Sequence, residues 1–337
     1  MKRLICALTV AACTCIVHAK TLNVIATVES LGSIVKTVGG SHVNVTTLVV
    51  GARDPHRIEA KPSYMSAAGR ADLWVGIGLD LEIGYEEPII SGSANGRLRP
   101  GSLGNVHVGD WVPVREKPTG EVTRAMGDIH PFGNPHVWLD PYNMRIIAVR
   151  LADRMAELDP QDGAEFKSNA KSFAARLDKA MFGDALAVKI GGDKLWEWDN
   201  QDQLIEKLRE AKAENLLSGW CQKMRPFWKT KVVTYHRSWT YFAARFGLNV
   251  VGELEPKPGI DPTPAHVATI IKLIQDSGVK LILQEPFYST RNAQFVSQRT
   301  GVPYLVLPGN VGQSPGADDV IALFDVLVNN ISGALRK

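Results

Sequence analysis

Three histidines stand in short runs whose composition suits metal ligation. They are His56 in Asp54-Pro55-His56-Arg57-Ile58-Glu59, His136 in Gly133-Asn134-Pro135-His136-Val137-Trp138-Leu139-Asp140-Pro141, and His236 in Thr234-Tyr235-His236-Arg237-Ser238-Trp239. Neutral imidazole is the side chain most often found on transition metals. Each run reads as the exit of a β-strand, and open α/β sheets bind ligands in the crevice beyond the carboxyl ends of their strands. Zinc takes about four ligands in a tetrahedron, from imidazole nitrogen and carboxylate oxygen. Glu285, in Gln284-Glu285-Pro286 directly after Leu281-Ile282-Leu283, is the candidate for the fourth position. Its competing role is to accept a hydrogen bond from a ligand histidine.

A lone histidine after a strand is ordinarily a loop or capping residue; three of them spread over both halves of the chain point to a shared site. Asp140 either supports His136 or pairs with a basic residue. His130 reads as a solvated residue near the mouth of such a site, and His42, His107 and His266 as surface or helix-start residues. Trp138, Tyr235 and Trp239 read as core. The chain has no Gly-rich phosphate loop, no His-Glu-x-x-His helix and no Gly-x-Ser-x-Gly elbow.

The elements that would carry these residues alternate. Leu22–Val28 is β-rich and leads into a helical run ending at the stop signal Gly39-Gly40; Val43–Val50 is a second strand that enters the loop bearing His56. A short helix over 62–71, a strand from Leu73 and a further one near Val106 or Trp111 complete the first half. Near-continuous apolar strands separated by helices predict βαβ units and parallel sheets covered on both faces. Two helical stretches follow, one from about Asn143 and a second over Gln161–Met181, interrupted at Leu158-Asp159-Pro160. Residues 184–229, with Trp196, Trp198, Trp220, Trp228 and Met224, read as a buried insertion. Strands at 231–235, 249–254, 279–283 and 304–307 then alternate with helices to the end. The expected architecture is two α/β lobes joined by a helix, with a cleft between them.

The 337 residues leave room for an ample core in each lobe. Residues 1–19 read as a signal peptide: Lys2 and Arg3, the apolar Leu4–Val17, then the small-residue site Val17-His18-Ala19. The apolar run is short for a membrane span. Lipidation at Cys13, within Val10-Ala11-Ala12-Cys13, is the rival reading, and either exports the chain. Cys6, Cys13 and Cys15 fall in that segment, leaving Cys221 without an internal disulfide partner and best read as packing. The net charge of +3, falling to about +1 without Lys2 and Arg3, argues against a nucleic-acid partner, which selects a basic stripe.

At these residues the chain resembles the metal-binding periplasmic proteins of zinc and manganese ABC importers, the cluster A-I solute-binding proteins. The resemblance spans nearly the whole chain after the signal, through Asp-Pro-His, Asn-Pro-His-x-Trp-Leu-Asp-Pro and the Tyr-His run. It implies two pseudo-symmetric lobes, here 20–158 and 184–337, joined by one long helix at 159–183, with the metal in the cleft between them. It also implies that His56, His136 and His236 are ligands and that the chain is a carrier, not an enzyme. Its cargo would be Zn2+ and its partner a membrane-embedded ABC permease, with an accessory metallochaperone as a further partner to consider. A periplasmic location and a monomer that docks one-to-one complete that expectation.

The sequence departs from the family pattern in three places. The aspartate many members carry after the last strand is missing from Leu307-Pro308-Gly309-Asn310-Val311-Gly312, so Glu285 or water is left for the fourth position. Residues 114–129 contain no histidine, where many zinc carriers have a His-rich loop, and the insertion at 184–229 is additional. Two alternatives compete. A manganese carrier of the same fold would be favoured by an oxygen-rich site. A secreted zinc hydrolase would use three histidines, an open position and Glu285 as general base.

Overall fold

The computed structural model describes residues 21–120, 127 and 130–336, so the expected signal segment lies outside the described residues. Two four-stranded parallel sheets form the frame. In the first, β1 (Leu22–Val28), β2 (Val43–Val49), β3 (Leu73–Gly76) and β4 (Asn105–His107) stand in the order β2-β1-β3-β4. In the second, β5 (Lys231–Thr234), β6 (Asn249–Glu253), β7 (Leu281–Gln284) and β8 (Tyr304–Val306) repeat it as β6-β5-β7-β8. All paired strands are parallel. β3 and β7 are buried along their whole length, which is why they read as apolar runs with no alternation up to Gln284 at the end of β7.

The repeated order has a consequence for ligand binding. Connections leave β1 toward one edge of the sheet and return past it to β3, and the same reversal separates β5 from β7. A crevice opens at the carboxyl ends of strands where the order reverses. His236 lies two residues beyond the end of β5, and Glu285 is the residue after β7. Both therefore hang over the same switch point.

Two consecutive helices, Pro141–Leu158 and Gly163–Phe182, run between the sheets in sequence. The break between them contains Pro160, which lacks the N–H needed to continue the first helix. The second buries Phe166, Ala170, Phe173, Leu177 and Met181, a stripe at helical spacing. It packs against helices Glu29–Gly39 and Pro141–Leu158 and against Gly219–Met224. One contiguous apolar core includes Val24 and Leu73 from the first sheet, Val232 and Leu281 from the second, and these helices.

Residues 184–229 fold as short helices, Asp184–Lys189, Gly192–Asn200, Leu204–Glu210 and Gly219–Met224, wrapped on that core. Trp196 and Trp220 are buried, with indole N–H groups donated to Asp178 (2.6 Å) and Asp325 (2.7 Å). Trp228 departs from the expected burial and is 52% exposed. Its ring lies flat across Gly247, where a Cβ would sit 1.9 Å from a ring carbon and where φ is +72°. Only glycine satisfies both the left-handed turn and the close approach. Cys221 packs at the edge of the core, and burial pushes its thiol up to about 12, which leaves no reactive thiolate at neutral pH.

Arg245 ties the insertion to both halves. From helix Thr240–Phe246 it donates Nε and Nη2 to the two oxygens of Asp140 (2.8 and 2.9 Å), and Nη1 to Asp199 of the insertion. Its guanidinium also stacks near Tyr142 and Trp196. Asp140 meanwhile caps helix Pro141–Leu158 through the Tyr142 N–H (2.9 Å). Removing one partner of such a buried cluster leaves uncompensated charge. Arg245→Met is expected to lower the unfolding free energy by about 3–5 kcal/mol in urea titration. A loss below about 1 kcal/mol, the value of an exposed pair, would show that the cluster contributes little.

Candidate metal centre

His56 and His136 are positioned by the same local device. In Asp54-Pro55-His56 the Asp54 Oδ1 accepts from the His56 backbone N–H (3.0 Å) and from its ring Nδ1 (2.8 Å). In Asn134-Pro135-His136 the Asn134 Oδ1 accepts from the His136 backbone N–H (3.0 Å) and ring Nδ1 (2.9 Å). The intervening proline fixes φ and has no N–H to compete for the acceptor. Asn134 cannot be turned the other way without loss. Its Nδ2 already donates to the Arg237 carbonyl and to Glu116, both at 2.8 Å.

His236 reaches the same result by a long-range route. Its Nδ1 lies 2.7 Å from Glu255 Oε2, both residues being buried. Glu255 follows β6, the neighbour of β5, and its backbone N–H bonds to the Tyr235 carbonyl (3.1 Å). It is thus delivered beside His236 by strand pairing. All three acceptors take the Nδ1–H, which fixes the tautomer and leaves Nε2 as the lone-pair donor.

These three imidazoles converge. Their ring centroids are 5.2 to 5.4 Å apart, and one nitrogen from each lies within 4.8 Å of the others. Tetrahedral zinc holds nitrogens about 3.4 Å apart, so closure on an ion needs ring shifts of about an ångström. The His56 Nε2 is buried without any hydrogen-bond partner. Such an orphan acceptor carries a desolvation cost that a bound cation would remove. Burial, reinforced by the neighbouring His56 and His236, holds His136 well below the ordinary imidazole range, so it is a neutral ligand at physiological pH. Burial pushes Asp54 up, yet the hydrogen bonds from His56 outweigh it and leave the carboxylate below its usual range.

Two small cavities flank the triad. One, of about 10 Å³, lies on the buried side and is walled by His56, His136, His236, Ser238, Glu285 and Gln313. The other, of about 30 Å³, is walled by His130, His136, His236 and Asn134, with the exposed Glu116 and Arg237 at its rim. Each is near the size of one water or one ion. Of the large surface clefts, that of about 1170 Å³ is lined by other groups, and that of about 1220 Å³ reaches Asp54 and shares Phe287 and Tyr288 with the smaller of these cavities.

The structure places the other expected residues as follows. Glu285 is fully buried on the inner wall; Ser238 Oγ donates to its Oε1, and its Oε2 has no partner. Burial raises its carboxyl well above the usual carboxylate range. Among the described residues, the close donor group comprises the three histidines, without Glu285. Asp140 pairs with Arg245, the basic-residue alternative. Trp138, Tyr235 and Trp239 are core, and the Trp138 N–H donates to the Gly309 carbonyl across the cleft (2.7 Å). His42, His107 and His266 bond to Glu165, Glu86 and the Glu253 carbonyl, away from the triad.

Two readings need correction. His136 does not follow a strand: β4 ends at His107, and His136 opens the single turn Val137–Leu139 after a long loop. Proline on its N-terminal side, without a donor for a ladder, is the reason. His130 is not a solvated loop residue. Its ring lies 5.4 Å from that of His56 and its Nε2 is buried without a partner. Neither Glu255 nor Asn134 is assigned a role from the sequence; Glu255 is too distant from His236 to leave a local signal, whereas the Asn-Pro-His spacing is a signal that points to Asn134.

A family model described as "Zinc-uptake complex component A periplasmic" matches residues 24–181 and 199–334. The high-affinity zinc uptake system protein ZnuA of Brucella abortus is 23% identical, over 93% of this chain and 90% of that protein. The zinc-binding protein AdcA of Streptococcus pyogenes is 23% identical over 85% of this chain, which spans about half (50%) of that longer relative. The fold is shared with a crystal structure of ZnuA (TM-score 0.66, 20% identity, 94% of this chain and 100% of that one). It is shared equally with FpvC of Pseudomonas aeruginosa in complex with Mn2+ (TM-score 0.68, 21% identity, 94% and 99%).

In the metal-free chain, long-range proton–nitrogen spectra are expected to show the His136 ring neutral, with the proton on Nδ1, from pH 7 down to pH 5. The sign follows from its lowered pKa: a proton binds only well below the ordinary value of about 6.5. A His136 ring that titrates near that value would contradict the buried hydrogen-bonded geometry.

Proposed function

The chain belongs to the periplasmic zinc-uptake component A family, and from that premise we propose that it captures zinc outside the inner membrane and delivers it to an ABC permease. The observation that carries this reading is the convergence of His56, His136 and His236, each with Nδ1 already engaged and Nε2 left for a metal. Three nitrogen donors favour zinc over manganese, which prefers oxygen-rich sites. Glu285 is proposed as the fourth donor, from the inner wall, exchanging its contact with Ser238 for the metal. Zinc held by four protein ligands keeps no open position for a nucleophilic water, so the site stores and releases an ion and makes no bond. The finer expectations, a monomer, an accessory metallochaperone and permease docking by the surfaces around the cleft, belong to the same proposal.

Release has to be local in this architecture. The two halves are cross-bonded at the site by Tyr241 Oη to the Asn134 carbonyl (2.7 Å), Trp138 to Gly309, and the Ser30 backbone N–H to Asn310 Oδ1 (2.7 Å). A wide hinge rotation would break several buried hydrogen bonds together, whereas a shift of the loop bearing His56 breaks few, its link to the other half being Arg57 to the Gly259 carbonyl.

Two outcomes follow. Purified from the export compartment, the chain is expected to carry about one zinc, and His236→Ala to lose it by elemental analysis after dialysis, since three-coordinate sites hold zinc far less tightly. A chain that takes up no zinc after chelation and refilling would overturn the carrier reading. Glu255→Gln keeps the shape but weakens the hydrogen bond that orients His236; zinc affinity is expected to fall by about 10–100-fold in chelator competition. An unchanged affinity would mean that this pair does not tune the ligand.

A further inference from the structure

His130 shares the chemical state of the three triad histidines although its sequence context is different. The Leu79 backbone faces its ring, and its Nε2 is buried with no partner. With Nδ1 on the Leu79 side, Nε2 is the nitrogen free to act as a lone-pair donor. The backbone that supplies this acceptor is unusual: Gly78, Leu79 and Asp80 have φ values of +74°, +55° and +67°. A leucine held in the left-handed region is uncommon, and here it turns a carbonyl to one imidazole.

His130 also stands on a definite side of the triad. Its ring is 5.4 Å from that of His56, the same separation as His56 from His236, and like Glu285 it stands just outside the close donor group of the three histidines. It lines the cavity whose rim is the exposed Glu116 and Arg237, whereas the buried Glu285 lines the other cavity, which is walled also by Trp138 and Ser238. His136 and His236 wall both cavities, so they form the partition between a solvent-side station and a buried one. A four-coordinate ion bound to the triad has a single bond left, and two groups on opposite faces can take it.

Resting on the zinc reading above, we propose that His130 is a further metal donor and that the site has two stations. Incoming zinc is held by the triad with His130 on the solvent side. It then moves inward as the bond to His130 Nε2 breaks and the bond to a Glu285 oxygen forms, the carboxyl proton leaving to solvent; release runs the same exchange backwards and takes a proton up again. Each exchange replaces one donor by another at constant coordination number, so the ion is never left with three ligands.

The test is the rate of zinc exchange in the full chain, measured by stopped-flow loading with zinc alone and by release to excess chelator. His130→Ala is expected to slow both loading and release by about tenfold, with equilibrium affinity changed by less than about threefold. Phe132→Ala, on the same loop with its ring 59% exposed, is expected to alter neither. Glu285→Gln weakens the inner station and is expected to trap zinc outside, giving four imidazoles by X-ray absorption. Wild-type rates in His130→Ala, or no fourth imidazole in Glu285→Gln, would overturn the role of His130. Wild-type protein that binds no zinc would instead defeat the carrier reading itself.

Discussion

The structure around the triad depends on where three imidazole protons go. Each Nδ1–H is given to an acceptor of the protein, Asp54, Asn134 or Glu255, and each ring is thereby held with its other nitrogen turned to a common point. Neutral nitrogen lone pairs brought together repel, and that of His56 is buried without a partner, so the arrangement is costly without a cation. The protein supports that cost through its core, and the binding of a positive ion recovers it. Reversing any one tautomer would point a proton at the ion and destroy the donor set.

The acceptors are themselves anchored, and their anchors cross the cleft. Asn134 bonds to the Arg237 carbonyl and receives Tyr241 on its own carbonyl, so the residue that orients His136 is held by the chain segment that follows His236. Glu255 also accepts from the Gly259 N–H (3.1 Å), and Arg57, next to His56, donates to the Gly259 carbonyl (3.1 Å). The metal centre is thus part of the contact between the two sheets and not an addition to its surface. Selectivity and rigidity come from the same bonds.

The stretch that the family model leaves unmatched, residues 182–198, falls in the insertion. It carries Trp196, whose indole bonds to Asp178, and it leads directly into Asp199, which completes the pairing of Arg245. Asp178 also pairs with Arg145 (2.9 Å) from the helix that Asp140 caps. The extra segment therefore braces the helix that begins five residues after His136. It lines neither of the two small cavities beside the triad.

Most of the fold was legible because parallel strands buried on both faces must be apolar throughout, and prolines and glycines mark where helices start and stop. The halves of the site differ in this respect. Asp54-Pro55-His56 and Asn134-Pro135-His136 each contain ligand and acceptor two residues apart across a proline, so their geometry is written locally in the chain. The His236 acceptor depends on β6 pairing beside β5, which no local pattern states. The position of His130 depends on a left-handed carbonyl at Leu79, some fifty residues away. The sequence by itself determined which side chains can bind a metal and how two of them are oriented, because those interactions span two residues. Their convergence, the buried place of Glu285 and the facing of His130 were decided only by tertiary structure, because they follow from strand order and loop packing between distant segments.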